Sequence, residues 1–248
     1  MTDHQRFAAL TFDGFRALAA TDGLSRYERI GFPDSYRAGH EANIYRDVRR
    51  KLTNLDLRDQ RVLDIGPGCS DLPHLLLETC RQQGHELLLC DSPEMLAHIP
   101  DDPRVRKCPG RFPQDGELAA HAGRVDVVLV YSVLQYVFVE ASVFDFLDAC
   151  LTLLAPGGQL LIGDVPNVSK RKRFFASDAG VRCHRAFTGT DETPEVRFNA
   201  PDRGKIDDAA VLALVARARA AGFDAYVVPQ AAELPMANRR EDILIVRP

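Results

Sequence analysis

Residues 62–76, VLDIGPGCSDLPHLL, decide the fold of this chain. A hydrophobic run breaks into a turn that contains Gly66 and Gly68, and an apolar stretch with helical spacing follows. A glycine turn between a strand and a helix lets the backbone approach a ligand closely. In an open parallel sheet, ligands lie beyond the carboxyl ends of the strands. The stretch therefore predicts a strand–turn–helix unit with a ligand site at its turn.

Short β-rich runs alternate with longer helical patterns along the rest of the chain. Strands are predicted at residues 61–65, 86–90, 105–108, 125–131 and 159–163. Helical spacing is clearest at residues 72–82, 143–154 and 209–221. The last two β-rich runs, residues 223–230 and 241–248, are joined by a loop too short for a crossover helix, so they are predicted to pair antiparallel. The predicted fold is α/β: a Rossmann-like seven-stranded sheet, mostly parallel with an antiparallel last strand, and with helices on both faces.

Two regions lie outside this alternation. Residues 1–60 are predicted to form a helical N-terminal cap, in which SYRAGHEANIYRDVRRKL at 35–52 is the clearest helix. Residues 165–205 form a polar insertion on the substrate side of the domain at 61–248. Between helix and fifth strand, Ala155-Pro156-Gly157-Gly158 is predicted as a turn, because proline cannot continue a helix and glycine accepts positive φ.

Composition limits the classes of partner. The chain has 248 residues, 46% of them hydrophobic, which is enough for one large domain or a domain plus a cap. Its net charge of -4 gives no overall attraction to nucleic acid or to an anionic membrane, although local basic patches stay open. Neither a signal-type N-terminus nor a spanning apolar run is visible, so we expect a cytoplasmic protein without a membrane partner. The six cysteines lack zinc-site spacing, and no metal is expected.

The glycine turn differs from a dinucleotide fingerprint. That fingerprint reads G-x-G-x-x-G, whereas this chain reads G-P-G-C-S-D with Asp64 inside the preceding strand. A pyrophosphate beside Asp64 and Asp71 is disfavoured. At the end of the second strand, Asp91 can accept two hydrogen bonds from a ribose diol, which suits any adenosine ligand. The alternative role for Asp91 is to cap the helix that follows it.

The stretch LDIGPGCSD resembles the first motif of class I S-adenosylmethionine (SAM)-dependent methyltransferases, and LLAPGGQLLIGD at 153–164 is similar to that family's approach to the fifth strand. The resemblance covers about residues 60–248 and implies SAM as cofactor, with S-adenosylhomocysteine (SAH) as product. It implies that the glycine loop passes the methionine part, Asp64 lies near the ammonium group, Asp91 binds the ribose and Met95 packs on adenine. The cofactor-binding residues it implies are Tyr36, Asp64, Gly66, Pro67, Gly68, Asp91, Ser92, Met95, Gly110, Arg111, Phe112, Tyr131 and Ser132.

The resemblance also indicates acceptor-side residues. Tyr131, Ser132 and Tyr136 follow the fourth strand, below the methyl group in this family; the alternative for the tyrosines is a place in the core. The candidates for a general base are His40, Asp164 and His184, each of which has a surface or structural alternative. The candidates for substrate binding are Lys170, Arg171, Arg173 and Arg239; the alternatives are a solvated basic face and pairing with Glu241 and Asp242.

Four segments carry a finer resemblance. FPDSYRAGHEANIY, GPGCSDLP, GDVPNVSKRKRFF and LPMANRRED are together similar to a bacterial methyltransferase group associated with surface-polysaccharide or glycan biosynthesis. The resemblance implies metal-independent methyl transfer to a small polar acceptor, a hydroxyl of a sugar or sugar nucleotide, by a monomer or homodimer. Whether the acceptor is anionic stays open. The alternatives are a non-catalytic SAM- or substrate-binding module, an NAD-linked oxidoreductase and, against the acidic composition, a nucleic-acid methyltransferase.

Overall fold

The computed structural model describes residues 10–114, 116–200 and 202–248, apart from the side chains of Ser35 and Tyr36. A seven-stranded sheet in the order β3-β2-β1-β4-β5-β7-β6 forms its centre. The strands are β1 Arg61–Ile65, β2 Glu86–Asp91, β3 Val105–Pro109, β4 Val125–Tyr131, β5 Leu154–Pro166, β6 Asp224–Pro229 and β7 Arg240–Val246. The first five are parallel, and β7 pairs antiparallel with both β5 and β6. This confirms the predicted sheet and its antiparallel end.

Helices cover both faces of the sheet. They are α1 Phe12–Ala19, α2 Arg26–Arg29, α3 Asp34–Arg37, α4 Glu41–Lys51, α5 Asp71–Gln83, α6 Pro93–Leu96, α7 Leu134–Glu140, α8 Val143–Leu153, α9 Val168–Phe175, α10 Asp178–Thr188 and α11 Asp208–Ala220. Two 3₁₀ helices add Thr53–Asp56 and Gly116–His121. In the described ranges, no helix combines the length and the apolar composition needed to cross a bilayer.

The central strands read as continuous hydrophobic runs because both of their faces are covered. On β4, Val128 packs in the core layer that contains Phe146 of α8 and Leu214 of α11. The neighbouring Leu129 packs in the opposite layer, with Leu76 of α5. Adjacent residues of one strand therefore enter two different cores, as the period of two in a strand requires.

The predicted helix at 35–52 is wrong as a single helix. The structure ends α3 at Arg37 and begins α4 at Glu41. Gly39 lies between them with φ +81°, a left-handed conformation that interrupts a right-handed helix. Arg37 therefore ends one helix, and Glu41, with which it pairs, begins the next.

The predicted fifth strand at 159–163 is too short. Helix α8 does end at Leu153, but β5 begins at once with Leu154 and includes the predicted Ala155–Gly158 turn. A register shift against β4 between Val125 and Val127 accommodates the extra residues as a β-bulge. Gly157 provides the positive φ of +75°.

The two regions outside the sheet lie at its carboxyl edge. Helices α1 to α4 occupy the described part of the predicted cap; the prediction for residues 1–9 lies outside the described residues. The predicted insertion at 165–205 begins within β5 and contains α9 and α10. Between α10 and α11, the described residues form no helix or strand. The division of the chain into a cap, a domain and an insertion stays a prediction.

Candidate active site at the carboxyl edge of the sheet

A cavity with about 950 Å³ of empty volume, including its open mouth, lies beyond the carboxyl ends of β1, β2 and β4. Helix α1 contributes Phe12 and Phe15 to its wall, so the N-terminal cap forms part of the site. The predicted cofactor residues that line it are Gly66, Pro67, Gly68, Asp91, Met95, Gly110, Arg111, Phe112, Tyr131 and Ser132. The structure thus brings the loops after four strands to one cavity.

The positions of Gly66 and Gly68 leave no room for a side chain. Gly66 and Gly68 have φ angles of +71° and +65°, which strain any other residue. A Cβ on Gly66 would lie 2.5 Å from Cγ2 of Val133, and one on Gly68 would lie 2.6 Å from Cγ2 of Ile30. The loop backbone therefore forms the cavity wall itself, as close approach to a ligand requires.

Asp91 is positioned by the same loop. Its Oδ1 accepts a hydrogen bond of 2.7 Å from the backbone N–H of Ser92, and its Oδ2 accepts one of 3.2 Å from that of Gly68. Burial raises its pKa to about 6. Ser92, rather than Asp91, caps α6, because its Oγ accepts from the N–H of Met95 at 3.2 Å. The capping alternative for Asp91 is therefore wrong. The remaining lone pairs of its carboxylate can accept hydrogen bonds from ligand hydroxyl groups.

Asp64 is a buried carboxylate whose Oδ2 has no hydrogen-bond partner among the described residues. Asp64 lies in β1, two residues before Gly66; it is 1% exposed and is not among the described residues that line the large cavity. Burial, with a smaller contribution from Asp91, raises its pKa to about 8. An unpartnered carboxyl at this point fits a ligand that brings a positive charge, since burial without a partner is costly.

Arg37 is a site residue that the sequence analysis missed. It is 7% exposed, and it lines the cavity from the end of α3. Its Cζ lies 4.7 Å from the centroid of the Phe32 ring, and its Nη2 donates to Oγ of Ser132 at 3.1 Å. Its Nε lies 3.6 Å from Oε1 of Glu41, and neither atom has a hydrogen-bond partner among the described residues. This buried guanidinium fits a ligand carboxylate.

The i,i+4 spacing of Arg37 and Glu41 was the available signal for this pair. Glu41 is buried, and burial raises its pKa. The side chain of Tyr36, which was predicted to bind cofactor, lies outside the described residues.

Ser132 and Asp164 meet at the ends of the adjacent strands β4 and β5. Ser132 has φ +60° and Asp164 has φ +61°, both unusual for residues other than glycine. Oγ of Ser132 donates a hydrogen bond to Oδ2 of Asp164. Backbone strain of this kind persists where surrounding contacts enforce it, and it clusters at functional sites.

Asp164 has further partners from the final strand pair. Nη1 of Arg240 donates to its Oδ2 at 2.5 Å, and Nε2 of Gln230 donates to its Oδ1 at 3.3 Å. Its own N–H donates to Oδ1 of Asp242 at 2.8 Å, and Lys51 of α4 pairs with that second carboxylate at 2.6 Å. Ser132, Gln230 and strand β7 thus hold Asp164 in one orientation, and Lys51 holds Asp242.

A second cavity of about 350 Å³ adjoins the first and contains Asp164 in its wall. Arg37, Phe32 and Tyr131 line both cavities. Gln230 and Arg240 add further polar groups to the smaller one. Asp164 therefore faces a small cavity whose wall combines four polar or charged side chains with apolar ones such as Ile44 and Leu234, and which shares side chains with the large cavity.

The two predicted histidines lie elsewhere. His40 occupies the turn before α4, and His184 lies on α10 with its ring centroid 6.3 Å from that of Phe175. In the described part of the chain, neither histidine belongs to the lining of the two cavities. Only Asp164 among the three predicted bases is brought to the site.

The predicted basic run lies on α9 and makes contacts within the protein. Nζ of Lys170 donates to the carbonyl of Arg240 at 2.6 Å, and burial lowers its pKa. Arg173 forms an ion pair with Asp208, and Cζ of Arg171 lies 5.3 Å from the ring centroid of Phe175. Among the described residues, these three cations do not line either cavity.

Arg239 precedes β7, and its backbone N–H donates to the carbonyl of Met236 at 2.9 Å. It too lies outside the described linings of the two cavities. The neighbouring Arg240 lines the small cavity instead.

Tyr136 lines the large cavity, as predicted for a pocket residue. Its ring packs edge-to-face on Phe15 with centroids 4.8 Å apart, and burial raises its pKa. Beside it, Glu140 accepts hydrogen bonds of 3.1 Å from the N–H of Phe12 and 2.8 Å from Arg111. These contacts fasten α1 over the cavity.

The described residues contain no group of three or more His, Cys, Asp or Glu side chains that could hold a metal ion. The six cysteines are free thiols, and five of them are buried. Cys183 is the exposed one and lies on α10.

Neither the scan of protein-family models nor the search of curated protein sequences found a match. Similar solved structures include the N-methyltransferase NodS from Bradyrhizobium japonicum in complex with SAH. The two structures align with a TM-score of 0.60 and 14% sequence identity, and the alignment covers 96% of this chain and 98% of NodS. Another is the Burkholderia thailandensis 1,6-didemethyltoxoflavin-N1-methyltransferase with bound 1,6-didemethyltoxoflavin and SAH. Its TM-score is 0.51 at 19% sequence identity, and the alignment covers 96% of this chain and 91% of that one.

A third similar chain comes from the Haloferax volcanii complex between the Trm112 methyltransferase activator and a methyltransferase. Its TM-score is 0.55 at 17% sequence identity, and the alignment covers 94% of this chain and 97% of that one. At these identities the likeness establishes the fold. The chain has the Rossmann-like fold of SAM-dependent methyltransferases.

Proposed function

We propose that the protein is a SAM-dependent methyltransferase that acts on a hydroxyl of a small polar acceptor. The observation that carries this proposal is the large cavity, where Gly66 and Gly68 bring the loop backbone to the wall beside Asp91 and Arg37. The unpartnered Asp64 lies in the strand that leads into this loop. The acceptors and donor of these side chains match an adenosyl ribose, an ammonium group and a carboxylate. The fold supports the same cofactor, since NodS and the toxoflavin methyltransferase were crystallised with SAH.

In this assignment each part of the cofactor has a place in the chain. The backbone of Gly66–Gly68 and the carboxyl of Asp64 hold the amino-acid portion, and Arg37 takes its carboxylate. Asp91 accepts the ribose hydroxyls, while Met95 and Phe112 pack on the adenine. When bound, SAM supplies a sulfonium methyl group that is already activated for transfer.

The protein then has to orient the acceptor, exclude water and remove one proton. We assign proton removal to the carboxylate of Asp164, which takes the proton of the acceptor hydroxyl as that oxygen is methylated. Ser132, Gln230 and Arg240 fix the orientation of this carboxylate. A positioned base of this kind contributes about 10² to 10⁴ in rate. His40 and His184 are weaker candidates because of their positions.

The acceptor we propose is a sugar or sugar nucleotide. The four segments that resemble the glycan-associated methyltransferases support it, and so does the small cavity, where Asp164, Gln230 and Arg240 offer both acceptors and donors to hydroxyl groups. An amine acceptor is the alternative, because NodS and the toxoflavin enzyme are N-methyltransferases. A cytoplasmic location and a monomer or homodimer stay predictions.

Calorimetric titration with SAM, SAH and NAD tests the cofactor. We expect SAM and SAH to bind in the micromolar range and NAD to give no heat of binding. Binding of NAD alone would identify an oxidoreductase. If none of the three ligands gave a heat of binding, the result would favour a binding module without this cofactor. Methyl transfer from SAM to sugar nucleotides, compared with transfer to amines, then tests the acceptor.

A further inference from the structure

We infer that an open groove next to the two cavities binds a phosphate or diphosphate ester on the acceptor through Arg203 and Lys205. This inference rests on the proposed function and assigns its substrate class. The groove encloses about 1700 Å³ of empty space, including the part open to solvent. It shares Tyr136 and Glu140 with the large cavity, and Met236 and Arg240 with the small one. A ligand in the groove therefore lies at the entrance to both.

Some charged side chains of the groove wall are paired within the protein, and others are not. Arg240 pairs with Asp164, and Glu140 pairs with Arg111, so these two groups are neutralised within the protein. Arg203 and Lys205 are exposed, and in the described ranges their side chains make no hydrogen bond or ion pair. Asp202, which pairs with Lys172, also interacts electrostatically with Lys205, but neither Arg203 nor Lys205 is in a salt bridge in the described ranges.

The two cations are held on a fixed turn. Gly204 between them has φ +69°, and the N–H of Lys205 donates to the carbonyl of Asp202 at 3.2 Å. Ile206 follows at 3% exposure, and its carbonyl accepts the N–H of Val168 at 2.9 Å. The buried Ile206 thus fixes the end of the turn beside the groove wall to which Arg203 and Lys205 belong.

The basic run on α9 is less available for binding an anion. Its Lys170 is engaged by the carbonyl of Arg240, Lys172 by Asp202 at 2.7 Å, and Arg173 by Asp208. An anion would have to compete with each of these contacts. The pairing on α9 leaves the turn of Arg203 and Lys205 as the better anion site.

The chemistry of the two side chains favours phosphate. A guanidinium forms paired hydrogen bonds with phosphate oxygens, and a lysine adds a point charge beside it. A phosphate ester carries about -1.5 to -2 charges at pH 7, which matches two cations better than one carboxylate does. Gln135 also lines the groove, and its buried Oε1 has no hydrogen-bond partner among the described residues, so it can accept a ligand hydroxyl.

Titration with inorganic pyrophosphate tests the site, using SAH-loaded protein and R203A/K205A. The matched control is R46A/R50A, which removes the same charge from exposed positions on α4. We expect saturable binding to the wild type and the control, and binding weaker by about tenfold or more in R203A/K205A, as the loss of charge-assisted hydrogen bonds predicts. The SAH affinity should be equal in all three proteins.

Three results would overturn the site: no saturable pyrophosphate binding to the wild type, unchanged binding to R203A/K205A, or equal weakening in R46A/R50A. The last would mean that net charge alone acts. The same titrations on SAH-free protein separate the two proposals. If SAH fails to bind the wild type, the cofactor assignment is wrong, while the pyrophosphate results still decide whether the groove is an anion site.

Discussion

Ser132 donates a hydrogen bond to Asp164, and both residues adopt left-handed φ angles at the ends of adjacent parallel strands. A single strained residue can be an accident of a turn, but two strained residues joined by their side chains indicate that the sheet edge is built around this contact. The contact lies where the large and small cavities adjoin, next to Tyr131, which lines both. The most specific predictions therefore concern this carboxylate and the cofactor residues beside it.

D164N should lower kcat by about 10² or more, because an amide keeps the shape of the side chain but cannot take the acceptor proton. Its SAH affinity should stay that of the wild type. Steady-state kinetics and SAH calorimetry measure both. S132A is the matched variant, since it removes a hydrogen-bond donor to Asp164 and leaves the base, so its rate should fall less. Full activity in a folded D164N protein would exclude Asp164 as the base.

D91A should weaken SAH binding by about 1.5 to 3 kcal/mol, the value of hydrogen bonds to a charged group. The control is S92A. Ser92 was predicted to bind the cofactor, but it is 1% exposed and is not among the described residues that line the cavity. S92A removes the cap of α6 and should cost about 1 kcal/mol of stability without changing SAH affinity. Calorimetry gives the affinities and thermal unfolding gives the stabilities. Equal SAH affinity in D91A and the wild type would contradict the ribose assignment.

Binding of SAH at pH 7 should release a proton from Asp64. Burial raises the pKa of this carboxyl to about 8, so it is mainly protonated in the free protein at pH 7. A ligand ammonium group beside it favours the ionised form, which lowers the pKa and expels the proton. The binding enthalpy at pH 7 should therefore depend on the ionisation enthalpy of the buffer, and the SAH affinity should fall as the pH drops below 8.

D64N provides the comparison, because an amide has no proton to lose. Its binding enthalpy should be independent of the buffer, and its SAH affinity should change less between pH 6 and 8. The carboxyl of Asp91, with a pKa of about 6, accounts for any proton release that persists near pH 6. A wild-type enthalpy that is the same in every buffer at pH 7 would contradict the pairing of Asp64 with the ammonium group.

Removal of Arg37 should act on both stability and cofactor binding. R37M leaves Glu41 buried without its cation, which costs about 3 to 5 kcal/mol of stability. The double variant R37M/E41Q removes that unpaired charge and should recover most of the unfolding temperature. Its SAH affinity should stay low, because the carboxylate of the ligand has lost its partner. Recovery of SAH affinity along with stability would show that Arg37 acts only as a structural residue.

The sequence by itself determined the sheet, the glycine loop and the position of Asp91. These features depend on residues close together in the chain: the alternation of apolar runs, the positive φ that glycine accepts and the order of strand and turn. The parallel connections then bring the carboxyl ends of the strands to one edge, so the ligand site followed from local patterns. The antiparallel end followed from a short loop for the same reason.

Only the tertiary structure decided which charges pair with each other and which face the site. Arg37 reaches Ser132 across 95 positions of the chain, and Arg240 reaches Asp164 across 76. The same holds for the cations of α9, whose partners are Asp202, near the end of the insertion, and Asp208, in α11. It also holds for Arg203 and Lys205 at the groove. Charged side chains carry no periodicity that records a distant partner, and their pairing depends on burial and distance, which exist only once the chain is folded.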